Sequence, residues 1–192
     1  MPLIAVIGAR YTGRSEIADR IETALRNRSL SVCRTANLTG TGQTLGFPMS
    51  TKTTAASAEW AMTAGAATVQ IGLLEADVVV SEFAPLEALA FWLAAVRQRR
   101  EHPDSDDEQR LSILATALSS SYALTVATGF SADGAPGINH RDERLRADVD
   151  GHLRDLFDKT GFRHHLADTV SGRNTAAKAA EVAVRTRLRD RR

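Results

Sequence analysis

Gly8-Ala9-Arg10-Tyr11-Thr12-Gly13-Arg14-Ser15 brings two glycines, a cation and a hydroxyl into one short stretch, with Glu16 directly after it. Residues of these types can hold an anion. A glycine-bent loop turns several backbone N–H groups inward, and the helix that follows adds its unpaired N-terminal donors and the positive end of its dipole. The stretch fits the phosphate-loop pattern G-x-x-x-x-G-K-[ST] at every fixed position except the lysine, which Arg14 replaces. Gly8 would allow the sharp turn, Gly13 would let backbone approach phosphate oxygens, and Ser15 would offer its hydroxyl to a magnesium ion bridging them. Arg14 keeps the charge, but its planar fork is not equivalent to a compact ammonium. The other reading of these residues is an ordinary glycine-containing turn between a strand and a helix.

Such a loop needs a strand before it and a helix behind it, and both are written in the chain. Leu3 to Ile7 is an apolar run suited to a buried parallel strand, and Ile17, Ile21, Ala24 and Leu25 recur at helical spacing within Glu16 to Arg28. Further strands are predicted at Ser31–Ala36, Asp77–Ser81, Tyr122–Ala127 and near Arg163–Val170. Helices are predicted at Ala55–Leu74, Leu86–Arg100, Leu111–Ser119, His140–Asp158 and from about Thr175. Between them lie a Gly/Thr/Ser-rich loop over Asn37–Thr54, a charged loop around Pro103, a turn-rich segment over Ser131–Asn139 and a short loop over Ser171–Asn174. Alternation of strands and helices predicts a three-layer α/β/α sandwich on a parallel sheet of about five strands.

Composition narrows the rest. A chain of 192 residues, 43% hydrophobic and 24% charged, suits one domain over 1–192. Its net charge of +1 gives no electrostatic reason to expect nucleic acid or a membrane surface, and the basic end Arg185–Arg192 reads as a solvated helix tail. Cys33 is the single cysteine, which excludes a disulfide framework, fits a reducing cytoplasm and reads as a buried core thiol. No segment has the length of a membrane span or the make-up of a secretory leader. His164 and His165 face opposite ways on a strand, so they do not share a metal and read as structural. Phe91 and Trp92 read as core.

With these elements placed, the chain resembles the P-loop nucleoside and nucleotide kinases, including the ribosylnicotinamide-kinase-like branch, with a variant phosphate-binding motif. In many of them the third strand ends on an acidic residue followed by arginine. Here Val79-Val80-Ser81-Glu82-Phe83 has Glu82 in the acidic position and phenylalanine where arginine is expected. The resemblance implies ATP and Mg²⁺ as cofactors, Glu82 as the base or magnesium partner, and a helical lid over about 131–158 whose Arg141 and Arg144 stabilise the transferring phosphoryl group. It also implies that the loop carrying Gly172 and Arg173 lies near adenine, and that the acceptor meets the loop over Leu38–Thr54 through Lys52, aided by Arg34 or Trp60. Glu82 alternatively caps the helix behind it, Glu87 reads as structural, Lys52 as solvated and the lid arginines as a charged surface.

The expectation is therefore an ATP-dependent kinase acting on a nucleoside, nucleotide or related small hydroxyl compound. The departures at Arg14 and Phe83 keep open a degenerate, nucleotide-binding regulator, and a nucleotide hydrolase driving a partner is a third reading. Whether two chains associate stays open.

Overall fold

A computed structural model describes residues 1–9, 12–35, 38–129 and 140–189, those of 140–142 as backbone only. Arg10, Tyr11, the turn-rich segment expected over Ser131–Asn139 and the last three residues of the basic tail lie outside the described residues, as does the side chain of Arg141. The strands are β1 (Leu3–Ile7), β2 (Val32–Thr35), β3 (Val78–Ser81), β4 (Leu124–Ala127) and β5 (His164–Leu166). They form one parallel sheet in the order β2-β3-β1-β4-β5, with Ala5 opposite both Ser81 and Thr125. The fold class expected from alternation is the one observed.

The strand pleat builds two cores because successive side chains leave opposite faces of the sheet. Ile4 and Val6 pack with Ile17, Ile21 and Leu25 of α1 (Arg14–Arg26) and with Ala180 and Val184 of α7 (Val170–Arg189). Ala5 and Ile7 face the other layer, made of α3 (Ala55–Glu75), α4 (Pro85–Gln98), α5 (Ser105–Ser119) and α6 (His140–Thr160). α4 is the centre of that layer. It packs against α3, α5 and α6 at once, so Leu86, Leu89, Trp92 and Val96 are all buried. Gly65 of α3 lies against the Phe83 ring, and a β-carbon there would stand 2.4 Å from it.

Several boundaries differ from expectation for local reasons. The Asn37–Thr54 loop contains a short helix, α2 (Thr39–Thr44), and a single 3₁₀ turn at Ser50–Lys52. The charged stretch around Pro103 belongs in part to α5, because the Asp104 side chain accepts hydrogen bonds from the Asp106 and Asp107 amides and Asp106, Asp107 and Glu108 sit at the positive end of the helix. Asp104→Ala is accordingly expected to lower stability by about 1 kcal/mol, a fall of roughly 2–4 °C in melting temperature. An unchanged melting curve would refute the cap.

α7 starts at Val170, so the loop expected over Ser171–Asn174 is its first turn instead. The Thr169 hydroxyl receives the Gly172 amide at 3.0 Å and begins the helix early. α6 is not a free lid along its length: Leu145, Val149, Leu153 and Phe157 are buried, and it packs on α4. Cys33 is half-buried against α3 rather than fully buried. His164 stacks on Phe157 with ring centroids 4.4 Å apart, while the His165 ring contacts the Gly172 carbonyl at 2.8 Å. The two imidazoles have separate structural contacts. Among the described residues no helix is long and apolar enough to cross a membrane.

Candidate active site

Because all five strands run the same way, the loops after β1, β3 and β4 meet at one end of the sheet, the usual ligand edge of an open parallel sheet. Gly8 leaves β1 with φ +147°, and a β-carbon there would lie 2.1 Å from Thr128 Oγ1 and 2.4 Å from the Thr128 carbonyl. Glycine is therefore required where β1 turns past the end of β4. The Thr128 amide and hydroxyl both donate to the Ile7 carbonyl, and Thr128 Oγ1 meets Thr12 Oγ1 at 2.6 Å. Thr12 Oγ1 also bonds the Ala9 carbonyl at 2.8 Å, closing the loop on itself. Gly13 is the N-cap of α1 and gives it no side-chain cap, so the first amides of this helix are available to an anion.

Arg14 and Ser15 open α1 and point to different carboxylates. Arg14 Nη1 donates to Glu87 Oε1 at 2.7 Å and to the Gly8 carbonyl at 3.3 Å, while the Gly8 amide donates to the same Glu87 oxygen at 3.2 Å. Glu87 stands in the first turn of α4, where the helix dipole favours its charge, and its side chain is 2% exposed. Its Oε2 has no hydrogen-bond partner among the described residues. Burial raises the Glu87 pKa above the ordinary carboxylate value; Arg14 and the amides of Gly8 and Ala84 oppose that rise, and Glu82 adds to it.

Glu82, just past β3, is engaged on both oxygens. Oε2 receives the Ser15 hydroxyl at 2.7 Å and lies 3.8 Å from Arg14 Nε, and Oε1 receives Arg34 Nε and Nη2 at 2.9 and 2.6 Å. Arg34 is held in turn by Asp19 and by the Ser15 carbonyl. Both Glu82 oxygens are taken up by Ser15 and Arg34 and α4 carries no side-chain cap, so the capping alternative fails. Arg34 is therefore the counter-ion of Glu82, reached from the neighbouring strand.

Beside Glu87 lies a cavity of about 280 Å³. Its wall combines Gly8, Arg14 and Glu87 with an apolar surface that includes Phe83 and Phe91, so Phe91 is not solely a core residue. Ser50 and Thr53 of the expected acceptor loop reach the wall, whereas Lys52 is exposed and is not part of it. Trp60 stacks on Phe47 with centroids 4.7 Å apart instead of facing the cavity.

Arg144 is exposed near the start of α6, and Arg146, two residues further along the same helix, is buried. Gly172 and Arg173 sit in the first turn of α7, where Arg173 Nε bonds the Ala167 carbonyl at 3.4 Å. Glu16 is exposed and pairs with Arg20 along α1.

Ser15 and Glu82 supply hard oxygen atoms beside the loop, a donor set suited to magnesium, which takes one or two protein ligands and completes its shell with phosphates and water. Among the described residues no group of three or more His, Cys, Asp or Glu forms a metal cage. The donors fit an ion brought in with a nucleotide.

Neither a family model nor a curated protein matches the sequence. Among solved structures the chain is similar to the deoxyadenosine kinase of M. mycoides with its products dCMP and a flexible dCDP bound, at a TM-score of 0.60 and 12% identity, over 99% of this chain and 100% of that one. At that identity the likeness establishes the fold, and the chain has the fold of the P-loop kinases.

Proposed function

We propose that this chain is an ATP-dependent kinase transferring the γ-phosphoryl group to a hydroxyl of a nucleoside, nucleotide or related small metabolite. The observation that carries the reading is the junction of an uncapped helix start, the glycine turn at Gly8 and Arg14 with a cavity able to hold a second small molecule. The resemblance in fold to a deoxyadenosine kinase supports a nucleoside-type acceptor.

In this reading the α1 amides and Arg14 hold the phosphates, and Ser15 with Glu82 holds magnesium, which neutralises charge on the transferring group when bound. Arg34 keeps Glu82 oriented toward Ser15. Arg144 and Arg141 would bring further positive charge to the phosphoryl oxygens, Gly172 and Arg173 would border the adenine, and Lys52 would meet the acceptor at the rim. The half-buried, unpaired Cys33 is compatible with work in a reducing cytoplasm.

A second reading, a nucleotide-binding regulator without turnover, draws on Arg14 being turned back onto Glu87 and the Gly8 carbonyl. ADP release from Mg²⁺-ATP across a panel of nucleosides, nucleotides and sugar-modified analogues, with mass detection of product, separates the two. Acceptor-dependent ADP with a product heavier by one phosphoryl group is the expected result. Tight nucleotide binding without any product would favour the regulator, and phosphate release without an acceptor would indicate a hydrolase.

A further inference from the structure

We propose that a groove between the ends of α1 and α7 is a second binding site, and that it takes a small amphipathic anion: a short apolar body carrying one oxyanion head, carboxylate or phosphate. The groove encloses about 260 Å³, and its wall combines Leu25, Leu30 and Leu188 with Arg28, Arg185 and Arg189. It is remote from the glycine loop. α1 runs 13 residues from Arg14 to Arg26, so about 20 Å of helix separates the two places. The proposal stands whether or not the chain is a kinase.

The apolar part of the wall follows from how α1 ends. Ser29 takes φ +61°, and beyond it the Leu30 amide reaches back to the Leu25 carbonyl at 3.4 Å while the Ser29 amide bonds the Arg26 carbonyl at 2.9 Å. This left-handed exit folds Leu30 back toward Leu25, and both belong to the core shared by α1 and α7. Leu188 arrives from α7 and stays 36% exposed. Arg185 is three residues from Leu188 and four from Arg189, so one side of α7 presents an apolar side chain together with two cations.

Glu181 is the carboxylate in this wall, and its Oε2 is already shared by Arg28 at 3.0 Å and Lys178 at 3.9 Å. Among the described residues Arg185 and Arg189 have neither an ion pair nor a hydrogen-bond partner. Three arginines therefore face one carboxylate, and the C-terminal ends of α1 and α7 subtract only about half an elementary charge each. The groove stays positive. Two uncommitted guanidinium forks match the paired oxygens of a carboxylate or phosphate, and the leucines beside them match a hydrocarbon body that takes them out of water. An inorganic anion would leave the leucines wet, and an uncharged body would bring no counter-charge. The volume falls just under the roughly 300–1,000 Å³ of ordinary ligand pockets, which keeps the occupant small.

Titration calorimetry of the full chain with octanoate, octyl phosphate, octanol and inorganic phosphate tests the site. At least one of the two amphiphilic anions should saturate a single site with Kd below about 1 mM, an affinity within reach of a ligand this small, and the tighter of them names the head group. Octanol and inorganic phosphate should each bind at least about tenfold more weakly. Reversing charge in the double variant Arg185→Glu, Arg189→Glu should weaken the anion at least about tenfold. Arg187→Glu makes the same kind of change on the same basic tail but outside the wall, and should stay within about threefold of wild type. All three arginines are exposed, so melting temperatures should not move. In wild type with labelled leucine methyl groups, Leu25, Leu30 and Leu188 should shift as the anion is added, while Leu38, in the wall of the cavity beside Glu87, should not.

Failure of both amphiphilic anions to saturate by about 10 mM would overturn the proposal. Equal weakening by Arg187→Glu, or methyl shifts confined to Leu38, would overturn it too. Capture on anionic lipid vesicles that the charge-reversed variant loses, with neither free anion bound, would make this end of α7 a membrane contact instead.

Discussion

Arg14→Ala is expected to lose both stability and nucleotide affinity, because it strands the Glu87 carboxylate in the protein interior. Removing one member of a buried ion pair costs about 3–5 kcal/mol, and the lower end applies because Arg14 keeps some contact with solvent. Its side chain is 15% exposed against 2% for Glu87. A loss of about 3 kcal/mol corresponds to a melting temperature roughly 6–12 °C lower in a chain of this size. ATP should bind roughly 10- to 100-fold more weakly, the worth of one charge-assisted hydrogen bond to phosphate.

The deficit should also depend on pH in a defined direction. Burial already lifts the Glu87 pKa in the folded protein above 4.5, and without Arg14 it rises further. The folded state then holds a proton that the unfolded chain has released. Its stabilising contribution is full below 4.5 and is lost as pH climbs through the raised folded value. Melting curves of variant and wild type should therefore lie closest together in acid and diverge toward neutrality. A gap that widens in acid would refute the pairing. Arg14→Lys keeps the charge, so its stability should fall less than that of the alanine variant.

Gly8→Ala is the second large effect, and it arises from shape. The new methyl group would sit 2.1 Å from Thr128 Oγ1 and 2.4 Å from the Thr128 carbonyl, on a backbone at φ +147° that side chains rarely adopt. β1 and β4 would have to separate at the end where the glycine loop begins. A loss of roughly 3 kcal/mol or more is expected, with ATP binding weakened in parallel. Adding Thr128→Ala should restore only part of the stability, since the carbonyl contact remains. Full rescue, or a Gly8→Ala protein with wild-type melting and binding, would show that the turn is laxer than its geometry.

How far the sequence carried these conclusions differs by element. The β1 run, the glycine loop and the apolar stripe of α1 were legible because each is local: the spacing of Ile17, Ile21 and Leu25 follows one helix face, and Leu3–Ile7 is apolar throughout. α2 was not, because six residues with two glycines and three threonines carry no periodicity. The acidic start of α5 is masked in the sequence, because its capping residue, Asp104, follows directly on Pro103 within a dense run of charge.

Glu87 reads as structural in the sequence, and its place beside Gly8 and Arg14 is not legible there. Its partners, Gly8 and Arg14, lie far away in sequence, so no motif spacing could join them. A signal was nonetheless present: one carboxylate within Leu86–Val96, a segment otherwise free of charge and apolar on every side. A lone charge in a helix buried all round needs a partner elsewhere. Lys52 differs in the opposite sense: a charge in an exposed turn has no such requirement, and it stands outside the cavity wall.

Phe83, where the resemblance leads one to expect arginine, fills the notch that Gly65 leaves in α3. The two positions form a matched lock, so single-residue steps between this arrangement and an arginine-bearing one are barred. Restoring arginine at 83 alone would push a guanidinium into a slot shaped for a ring, and giving residue 65 a side chain alone would evict that ring. Laboratory evolution that changes one codon at a time should remain on the phenylalanine side of this divide, whereas libraries varying both codons together can cross it.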